Sequence, residues 1–171
     1  MDIENILETL QFTIPSLVTG FVAYYFFNQH IKKEKSTSKL AILIEKKKIA
    51  LPIKLQAYER LLLFCQRVNP LKLLLRIKPI GDKTEDYLQL LISNIDQELE
   101  HNAVQQIYVS TAAWNTIVTT KIAIINTLKA AAIDAENATD FREKVFVVYS
   151  EKLPPTNTAI SFIKTEVKKL L

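Results

Sequence analysis

Glu98 and His101 stand three positions apart in a stretch of helical periodicity, so a carboxylate and an imidazole leave the same side of one helix. Helical di-iron carboxylate bundles use this Glu-x-x-His pair on two of their helices. A second pair is required for that chemistry. The other histidine, His30, lies beside a long apolar run, so the second pair cannot be written. The polar residues Asn102, Gln105 and Gln106 lie within one to two turns of His101. Together with Glu98 they read first as a structural cluster, bonding one another or backbone groups across a helix junction. A partner-binding patch is the next reading, and a small-ligand sensor or an enzyme using His101 with a carboxylate is the alternative. Trp114 reads as a packing anchor that would become an interface hot spot if its indole were exposed.

Exclusions narrow the chemistry further. Gly20 and Gly81 are the only glycines, so neither a P-loop nor a dinucleotide fingerprint exists. Cys65 is the only cysteine, which rules out an intrachain disulfide, a thiolate zinc cluster and a C-x-x-C redox pair. On an apolar helical face it reads as a small core residue. No H-E-x-x-H zinc motif is present. No cofactor or metal is therefore expected. Asn137-Ala138-Thr139 fits a glycosylation sequon, but a helix cap explains it better in a cytoplasmic segment.

The elements that would carry these residues are helices. From Pro52 to Val68, Leu55, Tyr58, Leu62 and Cys65 recur at spacings of three and four, and Leu61 and Phe64 widen the stripe. Leu51-Pro52 predicts a fresh helix start and Asn69-Pro70 a stop. Leu71 to Ile77 adds a short turn or two, and Lys78-Pro79-Ile80-Gly81-Asp82 is the clearest loop. One long helix is expected from about Lys83 to Ile107, with Leu88, Leu91, Ile92, Ile95 and Leu99 on one face. Ser110 begins another, capped by its hydroxyl, with Val109 and Trp114 at staple positions. Breaks at Asn137 to Asp140 and at Leu153-Pro154-Pro155 delimit two more helices. The fold class is all-α: one N-terminal transmembrane helix followed by an antiparallel bundle of four or five helices.

The transmembrane expectation rests on Thr9 to Gln29, a run without a charged residue that reaches roughly 30 Å as a helix. Asp2, Glu4 and Glu8 precede it, while Lys32, Lys33, Lys35, Lys39, Lys46, Lys47 and Lys48 follow. The positive-inside tendency then puts the N-terminus outside and everything after about residue 31 in the cytoplasm, as a single-pass inner-membrane protein. An acidic leader and the missing cleavage site argue for a retained anchor. Three parts follow: an anchor over 1–31, a basic juxtamembrane segment over 32–50 and a cytoplasmic helical domain over 51–171. The net charge of +4 concentrates in the middle part, whose seven lysines face only Glu34 and Glu45. Nucleic acid is a poor partner for such a distribution. Anionic lipid headgroups suit the lysine cluster better, and a merely solvated linker that obeys the orientation rule fits it equally well.

Leu55-Gln56-Ala57-Tyr58-Glu59-Arg60, Asn69-Pro70, Glu100-His101-Asn102, Gln105-Gln106-Ile107-Tyr108-Val109-Ser110 and Trp114 follow a span and a lysine collar. With these motifs nearly the whole chain resembles an uncharacterised family of membrane-anchored helical proteins from Bacteroidota. The resemblance implies a bacterial inner-membrane setting and assigns no activity or functional residue. The expected function is a membrane-tethered interaction or scaffold module with a protein partner.

Overall fold

The computed structural model describes residues 3–171, with the side chains of residues 3–12, 14 and 35–40 outside the described set. Six α-helices and one 3₁₀ helix make up the described residues, without a strand. They are α1 (Ile3–Arg67), α2 (Pro70–Arg76), α3 (Thr84–His101), a 3₁₀ helix (Ala103–Ile107), α4 (Thr111–Ile133), α5 (Ala138–Glu151) and α6 (Pro155–Leu170). The chain divides into two compact units, Met1–Ile49 and Ala50–Leu171.

The first unit is helical, and the apolar side chains between Leu17 and Phe27 lie on its surface. Successive helix positions turn by about 100°, so Leu17, Val18, Phe21, Val22 and Tyr24 to Phe27 point all round the axis. Each is exposed, Leu17 and Phe21 by 72%. This stretch has no buried face within its own unit.

In the second unit, α1 behaves differently. Ala57, Tyr58, Leu61, Phe64 and Cys65 are buried on one stripe, as their spacing predicts. The expected fresh start at Pro52 does not occur, because α1 runs through it. Proline removes one amide donor, but Lys48 and Pro52 are exposed, leaving water available to the orphaned carbonyl. Asn69 then caps α2 by accepting from the Lys72 N–H at 3.4 Å, and its amide donates to Thr156 at 3.1 Å. At the other end of α2, Arg142 donates to the Leu74 carbonyl (3.0 Å) and Tyr87 to that of Ile77 (2.7 Å). These two side chains satisfy carbonyls that the helix itself leaves without partners.

The helix expected from Lys83 to Ile107 stops at His101. Asn102 is buried, and its side-chain amide donates to the Glu98 carbonyl at 2.7 Å, taking the acceptor that its own backbone N–H would use in a continuing helix. That N–H turns instead to the Leu99 carbonyl (3.0 Å), and the chain tightens into the 3₁₀ helix. Ser110 and Asn137 cap α4 and α5 as expected, accepting from Ala113 N–H and from Thr139 and Asp140 N–H.

α4 is the hub of this unit and packs on α3, α5 and α6. It buries Ala113, Ile117, Thr120, Ile124 and Leu128 at spacings of three and four. Tyr87 of α3 and Phe141 of α5 meet edge to face, with centroids 5.8 Å apart. By length and composition α4 is also the one helix among the described residues that is apolar enough to cross a membrane. The described part of the run in α1 begins at Thr13 and is diluted by Asn28, Gln29 and His30.

Candidate functional site

The residues singled out around His101 do not converge. Both Glu98 carboxylate oxygens lie 3.1 Å from the Arg67 guanidinium, and Arg76 stands 3.7 Å away on the same group. Glu98 thus ties the ends of α1 and α2 to α3. His101 is exposed at the end of α3, Gln106 is exposed on the 3₁₀ helix, and Gln105 is half-buried there. Asn102 serves the helix break. Neither Glu98, His101 nor Gln105 lines any of the grooves described below. Trp114 is half-buried and packed against the core, the anchor role its staple position suggests.

A polar network that the sequence did not reveal lies elsewhere. The Ser110 hydroxyl donates to Glu166 Oε2 at 2.8 Å while accepting from Ala113 N–H, and Lys169 donates to Glu166 Oε1 at 2.8 Å. The Ser110 backbone N–H donates to the Tyr58 hydroxyl at 3.2 Å. Three helices meet in this network, α1, α4 and α6, through residues 52 and 56 positions apart. Lys169 first and Ser110 next hold the Glu166 carboxyl below the ordinary glutamate range. A carboxylate so stabilised is a poor general base, and the serine oxygen already serves the helix cap. The arrangement fastens helices rather than activating a nucleophile. Only the Glu166 and Lys169 spacing of three was visible beforehand, and that spacing is common.

Tyr58 also lines a groove of about 410 Å³ between α1 and α6, floored by Leu55, Leu62, Ile163 and Val167. A smaller one of about 390 Å³ lies beside the start of α6 and is lined by the threonines of α4. The largest of the three, about 800 Å³, runs between the C-terminal half of α4 and α5. Ala130 and Ala131 of α4 and Val147 and Val148 of α5 give it an apolar floor. Its edge carries Asp134, Asp140, Glu143 and Lys144. Lys144 donates to Asp140 at 2.8 Å and to the Asp134 carbonyl. The lysine bond, and then the Glu136 N–H, hold the Asp140 carboxyl below the ordinary aspartate range.

The remaining chemistry-bearing groups are quiet. Burial pushes the Cys65 thiol up to about 12, so it is not a thiolate near neutral pH. Among the described residues no group of three or more His, Cys, Asp or Glu side chains is placed to hold a metal ion. Lys32, Lys33, Lys46, Lys47 and Lys48 are exposed, whereas the side chains of Lys35 and Lys39 lie outside the described residues. Asp2 likewise lies outside them, as do the side chains of Glu4 and Glu8.

No curated protein and no solved structure matches the chain. A family comparison does match, from the fourth residue to the last residue of α6. The chain belongs to the Family of unknown function (DUF7935), which it matches over residues 4–170.

Proposed function

We propose that this chain is a membrane-tethered helical interaction module. In this reading the N-terminal part of α1 crosses the cytoplasmic (inner) membrane once, with the N-terminus outside and the second unit in the cytoplasm. The observation that carries it is the ring of exposed side chains from Leu17 to Phe27, which no described residue of its own unit covers. A helix apolar on every side is stable when lipid or other helices surround it. Tyr24 and Tyr25 lie towards the end where His30, Lys32 and Lys33 emerge, the order that suits a headgroup boundary. The lysines through Lys48 would meet anionic headgroups, each contributing about 1 kcal/mol near the surface. α4, although apolar enough to span, has one stripe buried against three other helices of its unit and is read as a bundle helix.

The module half of the reading is supported by a second unit whose polar clusters fasten helices and whose groove of about 800 Å³ between α4 and α5 is open with an apolar floor. Fractionation of cells expressing the full chain, with alkaline carbonate washing, tests the anchor. The protein should remain in the membrane pellet, and release into the wash would overturn spanning. A fluorescent reporter and a periplasm-dependent phosphatase, each fused after Leu171, test orientation. Fluorescence without phosphatase activity is expected, and the reverse would overturn the topology.

A further inference from the structure

The groove between α4 and α5 has features that specify what should fill it. α4 is apolar enough to cross a membrane, yet only 22% of its apolar window is buried. The excess is organised. Ile122, Asn126, Ala130 and Ile133 follow one another at spacings of four, four and three on a single exposed stripe, with Ile133 82% exposed. Ala130 and Ala131 are small, so another backbone can approach closely at this point of the helix. Val147, 58% exposed, faces the groove from α5. The floor of Ala130, Ala131, Val147 and Val148, with Asn126 and Thr127 beside it, matches the contact face of one amphipathic helix.

The rim gives that helix a sign. Three carboxylates, Asp134, Asp140 and Glu143, stand against the single ammonium of Lys144. Lys144 is engaged by the Asp140 carboxylate and the Asp134 carbonyl, and among the described residues no ion pair holds the exposed Asp134 and Glu143 carboxylates. An anionic bilayer would be repelled by these carboxylates, and a helix bearing acids would be as well.

We propose that the α4–α5 groove is a docking site for a basic amphipathic helix of a partner protein. Its small apolar residues would lie along Ala130, Ala131, Val147 and Val148, and its Lys or Arg residues would flank Asp134 and Glu143. The proposal names the partner chemistry of the interaction module above and rests on that reading. Its test does not depend on membrane insertion.

The full-length chain in nonionic detergent is titrated into two fluorescein-labelled helical peptides of about 18 residues, roughly five turns. They share a Leu/Ala face and differ in carrying lysines or glutamates on the other. The lysine peptide should bind saturably, and the glutamate peptide about tenfold more weakly or not at all. Asp134→Asn with Glu143→Gln should weaken the lysine peptide by about tenfold. Val147→Arg should abolish binding, while Glu100→Gln, on α3, should leave it unchanged. Equal binding of the two peptides, or lysine-peptide binding indifferent to all three groove substitutions, overturns the proposal. A second measurement uses Val147→Cys in lipid nanodiscs with a membrane-impermeant maleimide, since Cys65 is buried. Labelling should be fast and slowed by the lysine peptide. Protection before any peptide is added would show that the bilayer covers the groove, which also overturns it. Failure of the anchor reading would appear in fractionation and would leave these binding results standing.

Discussion

The N-terminal stretch of α1 and the whole of α4 contain similar side chains and use them in opposite ways. α4 seats Ala113, Ile117, Thr120, Ile124 and Leu128 fully inside its unit and faces α3, α5 and α6 with them. Between Leu17 and Phe27, α1 leaves its large apolar side chains exposed around the whole helix. Moving one such side chain out of water is worth roughly 1.5–3 kcal/mol. In α4 that gain is collected within the bundle, whereas in α1 it is left for an external medium. Apolar content therefore does not separate a core helix from an anchor. The angular distribution of burial does.

The largest test of this contrast is Phe21→Lys with Phe26→Lys, which should cost about 3 kcal/mol per lysine at insertion. Carbonate-washed membranes should lose the protein while thermal unfolding of the second unit stays unchanged. Retention in the pellet would erase the distinction. The mirror experiment is Ile124→Ala in α4, which should lower stability by about 2–5 kcal/mol through a buried cavity. Urea unfolding of the detergent-solubilised chain reads that loss, and membrane retention should not change. Asn137→Ala, which removes an acceptor for two N–H groups at the start of α5, should cost about 1 kcal/mol in the same assay.

The smallest effect concerns Glu166, whose folded carboxyl titrates below the ordinary glutamate value of 4.5. Because folding depresses this pKa, its contribution is present above the unfolded value and disappears as pH falls through the lower folded one. The urea midpoint should decline as pH falls below the ordinary glutamate value of 4.5, and Glu166→Gln should make that decline shallower. An identical decline in the variant would remove Glu166 from the account.

Much of the fold could be read from local pattern. Leu91 and Ile95 are buried on the expected face of α3. Ser110 and Asn137 cap where a hydroxyl and an amide precede apolar periodicity. Two boundaries were misread for identifiable reasons. Pro52 looks like a helix start, but one lost hydrogen bond at an exposed position is small beside a helix continuing on both sides. Asn102 looks like an ordinary interior position, and only its side-chain bond to the Glu98 carbonyl ends the helix.

The polar chemistry was much less legible. Glu98 and His101 share a helix side in the sequence, yet Glu98 turns to Arg67 and Arg76 while His101 faces solvent. The bonds that join Ser110 to Tyr58 and to Glu166 across three helices had no signature. Helical periodicity follows from a local rotation per residue, so composition, spacing and caps establish an all-α chain, its apolar stripes and its absent catalytic motifs. Side chains separated by 31 to 56 positions meet only through the docking of whole helices. That docking chose the partners of Glu98 and Glu166 and left the α4–α5 groove open, because it depends on how all the faces pack together rather than on any one of them.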